Sequence, residues 1–213
     1  MTLVFLTISD TTPQKLVLSD SIAKYVSLKQ VTVLAFPGDT IQRLTDRIAF
    51  GQIELTQYQA IVIHVGTNDL SDLVLQHLLP HTSPLDLLRR YKALREVVRK
   101  RNTTAVLYFS AILPRSSGPL IKRPSPQIIQ HLAYGINFAL QQWCDSDNGL
   151  TFFVRSDKWF RSNGKVRDEL FASSDGIHLN GGGTDRLAQC FSQALSAAGQ
   201  LRFITRKDKL LLP

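Results

Sequence analysis

The chain has 213 residues, 44% of them hydrophobic and 20% charged, which suits a single soluble domain with one substantial core, and nothing argues for two domains. Its 25 Lys and Arg outnumber 17 Asp and Glu, for a formal charge of +8, so anionic partners enter consideration, although many basic proteins bind no nucleic acid. No run approaches the roughly 18 apolar residues of a membrane-spanning helix, and two cysteines make no disulfide framework, so buried thiols in a reducing, cytoplasmic compartment are the economical reading.

Residues 1–14 read as an N-terminal extension or extra strand, because Met1 to Ile8 is apolar but short and lacks a basic leader. Three apolar runs then end in polar or small groups. Lys15 to Leu18 meets Ser19-Asp20-Ser21, Val31 to Phe36 meets Pro37-Gly38-Asp39, and Ala60 to Val65 meets Gly66-Thr67-Asn68-Asp69. Each predicts a buried strand feeding a turn, with a helix from about Thr40 to Phe50 between the second and third. His64 reads as a core or pocket residue. His77 and His81 lack the Cys or Glu partners of a metal site, and Pro80 breaks any helix joining them, so no metal is expected.

From Pro84 to Arg101, Leu88, Tyr91, Leu94 and Val98 recur at helical spacing, while Arg89, Arg90, Lys92, Arg95, Arg99, Lys100 and Arg101 fill most other positions. A solvated surface helix explains this, and contact with phosphates is the sharper alternative. No aromatic residues interleave these cations as a stacking platform requires. Thr104 to Ser110 predicts a fourth strand, and Ile112 to Pro126 a loop bordering the site, as pocket wall, lid or plain connection. Ile129, Leu132, Ile136, Leu140 and Trp143 mark the next helix, and Leu150 to Arg155 a fifth strand. Trp159, Phe160 and Phe171 read chiefly as core. Asn180-Gly181-Gly182-Gly183 breaks the chain before a last helix carrying Leu187, Phe191 and Leu195, and residues 199–213 form a basic tail with Arg202, Arg206, Lys207 and Lys209. Strand alternating with helix predicts a parallel sheet covered on both faces, whose ligands sit outside the carboxyl ends of the strands.

Asp175 precedes His178 by three residues in a Gly-containing loop. A serine hydroxyl is a weak nucleophile that needs an adjacent base, and the base needs a third group to orient it. One loop can therefore aim one imidazole nitrogen at Asp175 and the other at a distant serine; a solvated loop is the plainer reading of the same residues. Acyl transfer also needs donors for its oxyanion. Ser21 and Gly38 offer main-chain N–H groups and Asn68 a neutral amide. Taken singly, these three also read as a helix cap, a turn and an Asx-turn residue.

Ser19-Asp20-Ser21, Gly38, Gly66-Thr67-Asn68-Asp69 and Asp175-Gly176-Ile177-His178 resemble, in order, the four blocks of the SGNH (GDSL-type) hydrolases, over about residues 15 to 198. The resemblance implies a three-layer α/β/α, flavodoxin-like fold with a five-stranded parallel sheet and no cofactor. It implies Ser21 as nucleophile, His178 as base, Asp175 as its orienting group, and Ser21, Gly38 and Asn68 as the oxyanion hole, with Asp20 structural. The sequence departs in one place: Ser19 stands where the family carries Gly, putting a Cβ at a turn that is tight if the family's turn is strained. Ala35-Phe36-Pro37-Gly38-Asp39-Thr40, Ile63 to Asp69, Ile136-Asn137 through Cys144, and Ser174 to Leu179 are further similar to SGNH domains of animal retrotransposons. The expected reaction is hydrolysis of carboxylic esters, small acetyl esters foremost, with sugar acetates, lysophospholipids and thioesters open. The rival is an RNA-binding module with little turnover. A small-molecule or lipid ester, RNA and an anionic membrane surface are the partners in view, with oligomeric state open.

Overall fold

Five apolar segments pair side by side, all parallel: β1 (Gln14–Ser19), β2 (Thr32–Ala35), β3 (Tyr58–His64), β4 (Val106–Ser110) and β5 (Thr151–Val154), in the order β2-β1-β3-β4-β5. The computed structural model describes residues 14–75, 84–116, 126–147 and 149–201. Expectations on residues 1–13, His77, His81, positions 117–125 and the tail cations Arg202, Arg206, Lys207 and Lys209 lie outside the described residues. Each strand lies within two residues of its expected start and end.

Alternation along the strands builds the layers, because successive side chains point to opposite faces of a sheet. Leu16, Leu18, Ile61, Ile63, Leu107 and Phe109 join one buried cluster; Val17, Ala60, Val62, Val106 and Tyr108 join the other. Helices α1 (Ile41–Ala49), α2 (Thr67–Leu75), α3 (Pro84–Arg101) and α4 (Pro126–Ser146) cover the first face. A 3-10 turn (Ser21–Ala23), α5 (Ser156–Trp159) and α6 (Gly181–Leu201) cover the second. Chain order reverses at β1, whose neighbours are β2 and β3, so a crevice opens beyond the carboxyl ends of β1 and β3.

Local chemistry fixes the element ends. Thr40 Oγ1 accepts from the Arg43 N–H at 3.3 Å and starts α1. Asn102 closes α3 and binds two neighbours: its amide donates to the carbonyls of Leu55 and Tyr58 at 2.7 and 2.8 Å, while its oxygen accepts from Ala105 N–H at 2.9 Å. Two expectations need correction. Gly181 to Gly183 do not interrupt the chain; they form the first turn of α6, capped by Asn180, whose Oδ1 accepts from Gly183 N–H at 3.0 Å. A hairpin, β6 (Arg161–Ser162) and β7 (Lys165–Val166), was not foreseen. Its signal was present in Asn163-Gly164, which adopt φ of 50° and 77°, the left-handed pair that a tight hairpin turn demands. Phe160 and Phe171 pack as core rings 5.7 Å apart, and Trp159 lies half-buried beneath Arg186. Among the described residues no helix is long and apolar enough to cross a membrane.

Candidate active site

β1 delivers Ser19 to the sheet edge, and the chain turns at once into the 3-10 turn whose first residue is Ser21. Asp20 caps this turn, its Oδ1 accepting from Ile22 N–H at 3.0 Å, so the cap is Asp20 and Ser21 is left free of that duty. The loop between the 3-10 turn at 168–170 and α6 folds over the same edge. There Asp175 Oδ1 accepts from the N–H groups of Ile177 and His178 at 2.8 and 2.9 Å, which fixes the carboxylate in an Asx-type turn. Its Oδ2 lies 2.7 Å from His178 Nδ1, and His178 Nε2 lies 2.9 Å from Ser21 Oγ. A carboxylate accepts only, so the network places the proton on Nδ1 and leaves the Nε2 lone pair facing the hydroxyl. Burial pushes the Asp175 carboxyl up, but the hydrogen bonds from His178 and from the Ile177 and His178 N–H groups outweigh it and hold the group below its ordinary value. Asp175 is therefore an anion at neutral pH.

Gly38 and Asn68 follow β2 and β3, the strands on either side of β1. Gly38 follows β2 with φ of +81°, a conformation that side-chain-bearing residues rarely adopt. Asn68 stands in the first turn of α2 and donates one amide N–H to the Asp39 carbonyl at 2.8 Å. That bond fixes the amide and leaves its second N–H available. Among the described residues neither the Ser21 nor the Gly38 main-chain N–H has a protein acceptor.

Behind the site lies charge that the sequence did not reveal. Asp69 is buried; it accepts from Ile41 N–H at 2.9 Å and from Arg90 at 3.2 Å, joining the residue beside Asn68 to the start of α1 and the second turn of α3. Burial raises its carboxyl, with those two partners pulling against it. Asp20 is fully buried, and desolvation lifts it to about 7, against the Ile22 N–H. Arg115 donates to the Thr67 carbonyl at 3.0 Å and to Ser71 Oγ at 2.6 Å; burial lowers it to about 10, opposed by Asp175 and Asp20. The next residue, Ser116, donates its N–H to Gly176 at 2.9 Å, so the loop expected to border the site does so, through 115 and 116. Gly66 admits Tyr91, whose hydroxyl donates to the Val65 carbonyl in the space where a Cβ at 66 would lie.

Ser19 does not make a tight turn. It ends β1 in regular register with Ala35 and His64, at negative φ, so its Cβ strains nothing. Its buried hydroxyl, however, has no hydrogen-bond partner among the described residues. His64 is core, as expected: Nδ1 pairs with Ser110 Oγ at 2.9 Å, Nε2 has no partner among the described residues, and burial lowers the ring to about 4, keeping it neutral. Among the described residues no three His, Cys, Asp or Glu side chains converge as a metal site requires.

A pocket of about 290 Å³ opens beside Ser21 and His178, walled by Ile22, Lys24, Tyr25, Pro37 and Leu179. Lys24 and Tyr25 were not anticipated as lining residues. The basic face of α3 is another matter. Arg89 pairs with Asp86, Arg90 with Asp69 and Arg95 with Glu96 and Asp147, while Arg99 and Arg101 bond main-chain carbonyls. Lys92 and Lys100 are the two of the seven cations with no such partner among the described residues.

A parallel α/β sandwich with a histidine between a serine and a carboxylate at the switch-point edge defines the class: a serine hydrolase of SGNH type. The chain belongs to the GDSL-like lipase/acylhydrolase family, whose model matches residues 10–186. Two solved structures of similar proteins share the fold. A GDSL-like lipase from Bacteroides thetaiotaomicron is 17% identical, with 87% of this chain and 88% of that one covered at a TM-score of 0.65. A carbohydrate esterase of family 3 from Talaromyces cellulolyticus is 12% identical, with 89% and 99% covered and a TM-score of 0.61. The esterase domain of the zebrafish ZfL2-1 retrotransposon ORF1 protein is 22% identical, with 86% and 98% covered and a TM-score of 0.45. No curated protein sequence matches.

Proposed function

We propose that the protein hydrolyses carboxylic esters through an acyl-enzyme on Ser21. The observation that carries this reading is the contact of His178 Nε2 with Ser21 Oγ at 2.9 Å while Nδ1 holds Asp175 at 2.7 Å. Ser21 Oγ attacks the carbonyl carbon as His178 takes its proton, and the carbonyl electrons move to the oxygen. The oxyanion is met by the Ser21 and Gly38 N–H groups and the free Asn68 N–H, each such donor worth about 100- to 1000-fold in rate. The intermediate collapses, the alcohol leaves with the proton from His178, and water deprotonated by the same ring releases the acid. Asp175 stays ionised throughout and stabilises the imidazolium. No step needs a cofactor.

Small acyl groups are the substrates we favour, because the pocket beside Ser21 is about 290 Å³ and is walled by short segments with an exposed Tyr25 and Lys24 rather than by a long apolar tunnel. Initial rates on p-nitrophenyl esters should fall from acetate and butyrate to palmitate. We take residues 15–198 as the hydrolase unit, an accessory domain of a retrotransposon protein by the phrases around Gly38, Asn68 and His178. The buried free thiols of Cys144 and Cys190 support a reducing, cytoplasmic setting. The competing RNA-binding reading through α3 is weakened, since five of its seven cations are engaged within the fold. The test is covalent trapping: a fluorophosphonate should add one adduct per chain, mapped to the peptide holding Ser21, and an adduct elsewhere or none overturns the assignment.

A further inference from the structure

Helix α4 turns Ile129, Ala133, Ile136, Leu140 and Cys144 to the core, yet its opposite face also carries large rings. Tyr134 is 69% and Phe138 57% exposed, one helical turn apart, and neither stacks on another aromatic among the described residues. Between this face and the connection from β5 to α5 runs a groove of about 350 Å³, whose lining includes both rings, Asn137, Gln141, Arg155 and Lys158. That volume reaches the lower end of small-ligand sites, about 300 Å³.

Its polar groups divide into committed and free. Asn137 spends its whole amide on the Ile112 main chain, at 2.8 and 2.9 Å, and Gln141 donates to Asp145 at 3.3 Å. Asp157, also in the lining, is partly desolvated, which raises its carboxyl, and the charge on Arg161 opposes that rise. Arg155 and Lys158 are exposed and make no ion pair within 4 Å among the described residues, although the Lys158 charge also acts on the Asp157 carboxyl. What the groove offers a ligand is thus two exposed ring faces, the Gln142 amide and two cations, beside the one carboxylate of Asp157. A neutral sugar can use the ring faces and the Gln142 amide but leaves the two cations unmatched, as does a purely apolar ligand. Bases stacked on aromatic faces, with phosphates drawn to Arg and Lys, match both.

We propose that this groove is a contact site for single-stranded nucleic acid, with bases on Tyr134 and Phe138 and phosphates at Arg155 and Lys158. The two rings lie about 6 Å apart along the helix axis, wider than the 3.4 Å step of a stacked strand, so a strand engaging both is splayed, which a duplex resists. The groove opens at the same sheet edge as Ser21 but three strands across, roughly 14 Å away by strand spacing, so an occupant leaves the ester pocket open. The interleaving that sequence order lacked is supplied by the fold, which brings positions 134 and 138 beside 155 and 158.

The experiment measures fluorescence anisotropy of labelled mixed-sequence RNA and DNA oligonucleotides, single-stranded and duplex, on the whole chain. Tyr134→Ala with Phe138→Ala should weaken single-strand binding tenfold or more. Arg155→Ala with Lys158→Ala should flatten the slope of log K against log salt by about 1.4, two phosphates at 0.7 each. Lys92→Ala with Lys100→Ala on α3 should change little. p-Nitrophenyl acetate turnover and circular dichroism, unchanged in all three, report an intact fold. The proposal is overturned by no single-strand binding in the wild type, by equal affinity for duplex, by loss through the α3 pair with the ring pair unaffected, or by displacement with a neutral oligosaccharide.

Discussion

One residue before the serine hydroxyl, Asp20 holds a fully buried carboxyl, and its titration makes stability depend on pH. Between about pH 4 and 7 the unfolded group is ionised while the folded one, lifted to about 7, keeps its proton. The folded state then binds more protons, so this group's contribution to stability falls as pH rises through that window and its full cost remains above it. Asp20→Asn keeps an acceptor for Ile22 N–H and does not titrate. Its Tm minus that of the wild type should shift in the variant's favour between pH 4 and pH 8, whereas parallel curves contradict the burial account. Ser19 makes a second case. Its hydroxyl is buried and unpartnered, a cost of about 1 to 3 kcal/mol, so Ser19→Ala should raise stability by about 1 kcal/mol or more in urea melts, with esterase rate unchanged because the backbone there is regular strand. Asn68→Ala should lower kcat about 100- to 1000-fold with KM nearly constant, as expected of a donor used mainly in the transition state. The types at 21, 68, 175 and 178 were legible from chemistry and order. The Asp39 carbonyl that orients Asn68 and the burial that lifts the Asp20 carboxyl come from distant segments, and no local pattern carries them.

At the scale of elements, the strands were the easiest part to read, because each is a short β-branched run ending in a small or polar residue. The β6–β7 hairpin was missed because two-residue strands have no periodicity, and only Asn163-Gly164 announced it. Helix α3 was found by its apolar spacing, but its cations looked free when most are tied to Asp86, Asp69, Asp147 and carbonyls. Charge pairing across tens of residues is set by packing, which a helical wheel omits. Asn102 shows how such tertiary bonds hold elements together: it ends α3 while fastening the entries to β3 and β4. Asn102→Ala strands two buried carbonyls and an N–H, and should cost about 2 to 4 kcal/mol in chemical denaturation. A loss below about 0.5 kcal/mol contradicts the role assigned to it.

For the molecule as a whole, the sheet order makes the chemistry possible. Ser21 leaves β1, Gly38 leaves β2 and Asn68 leaves β3, so three neighbouring carboxyl ends deliver three donors, and the loop before α6 brings Asp175 and His178 across. Four blocks far apart in the chain fall at one end of the sheet because parallel strands end on one edge. The most direct measurement is p-nitrophenyl acetate hydrolysis by wild type and Ser21→Ala at equal folded concentration. At least about a thousandfold loss in kcat/KM is expected for the variant, by the scale of triad-serine removals, with its melting curve unchanged. Equal rates for the two proteins, or a wild type no faster than buffer, contradict the account.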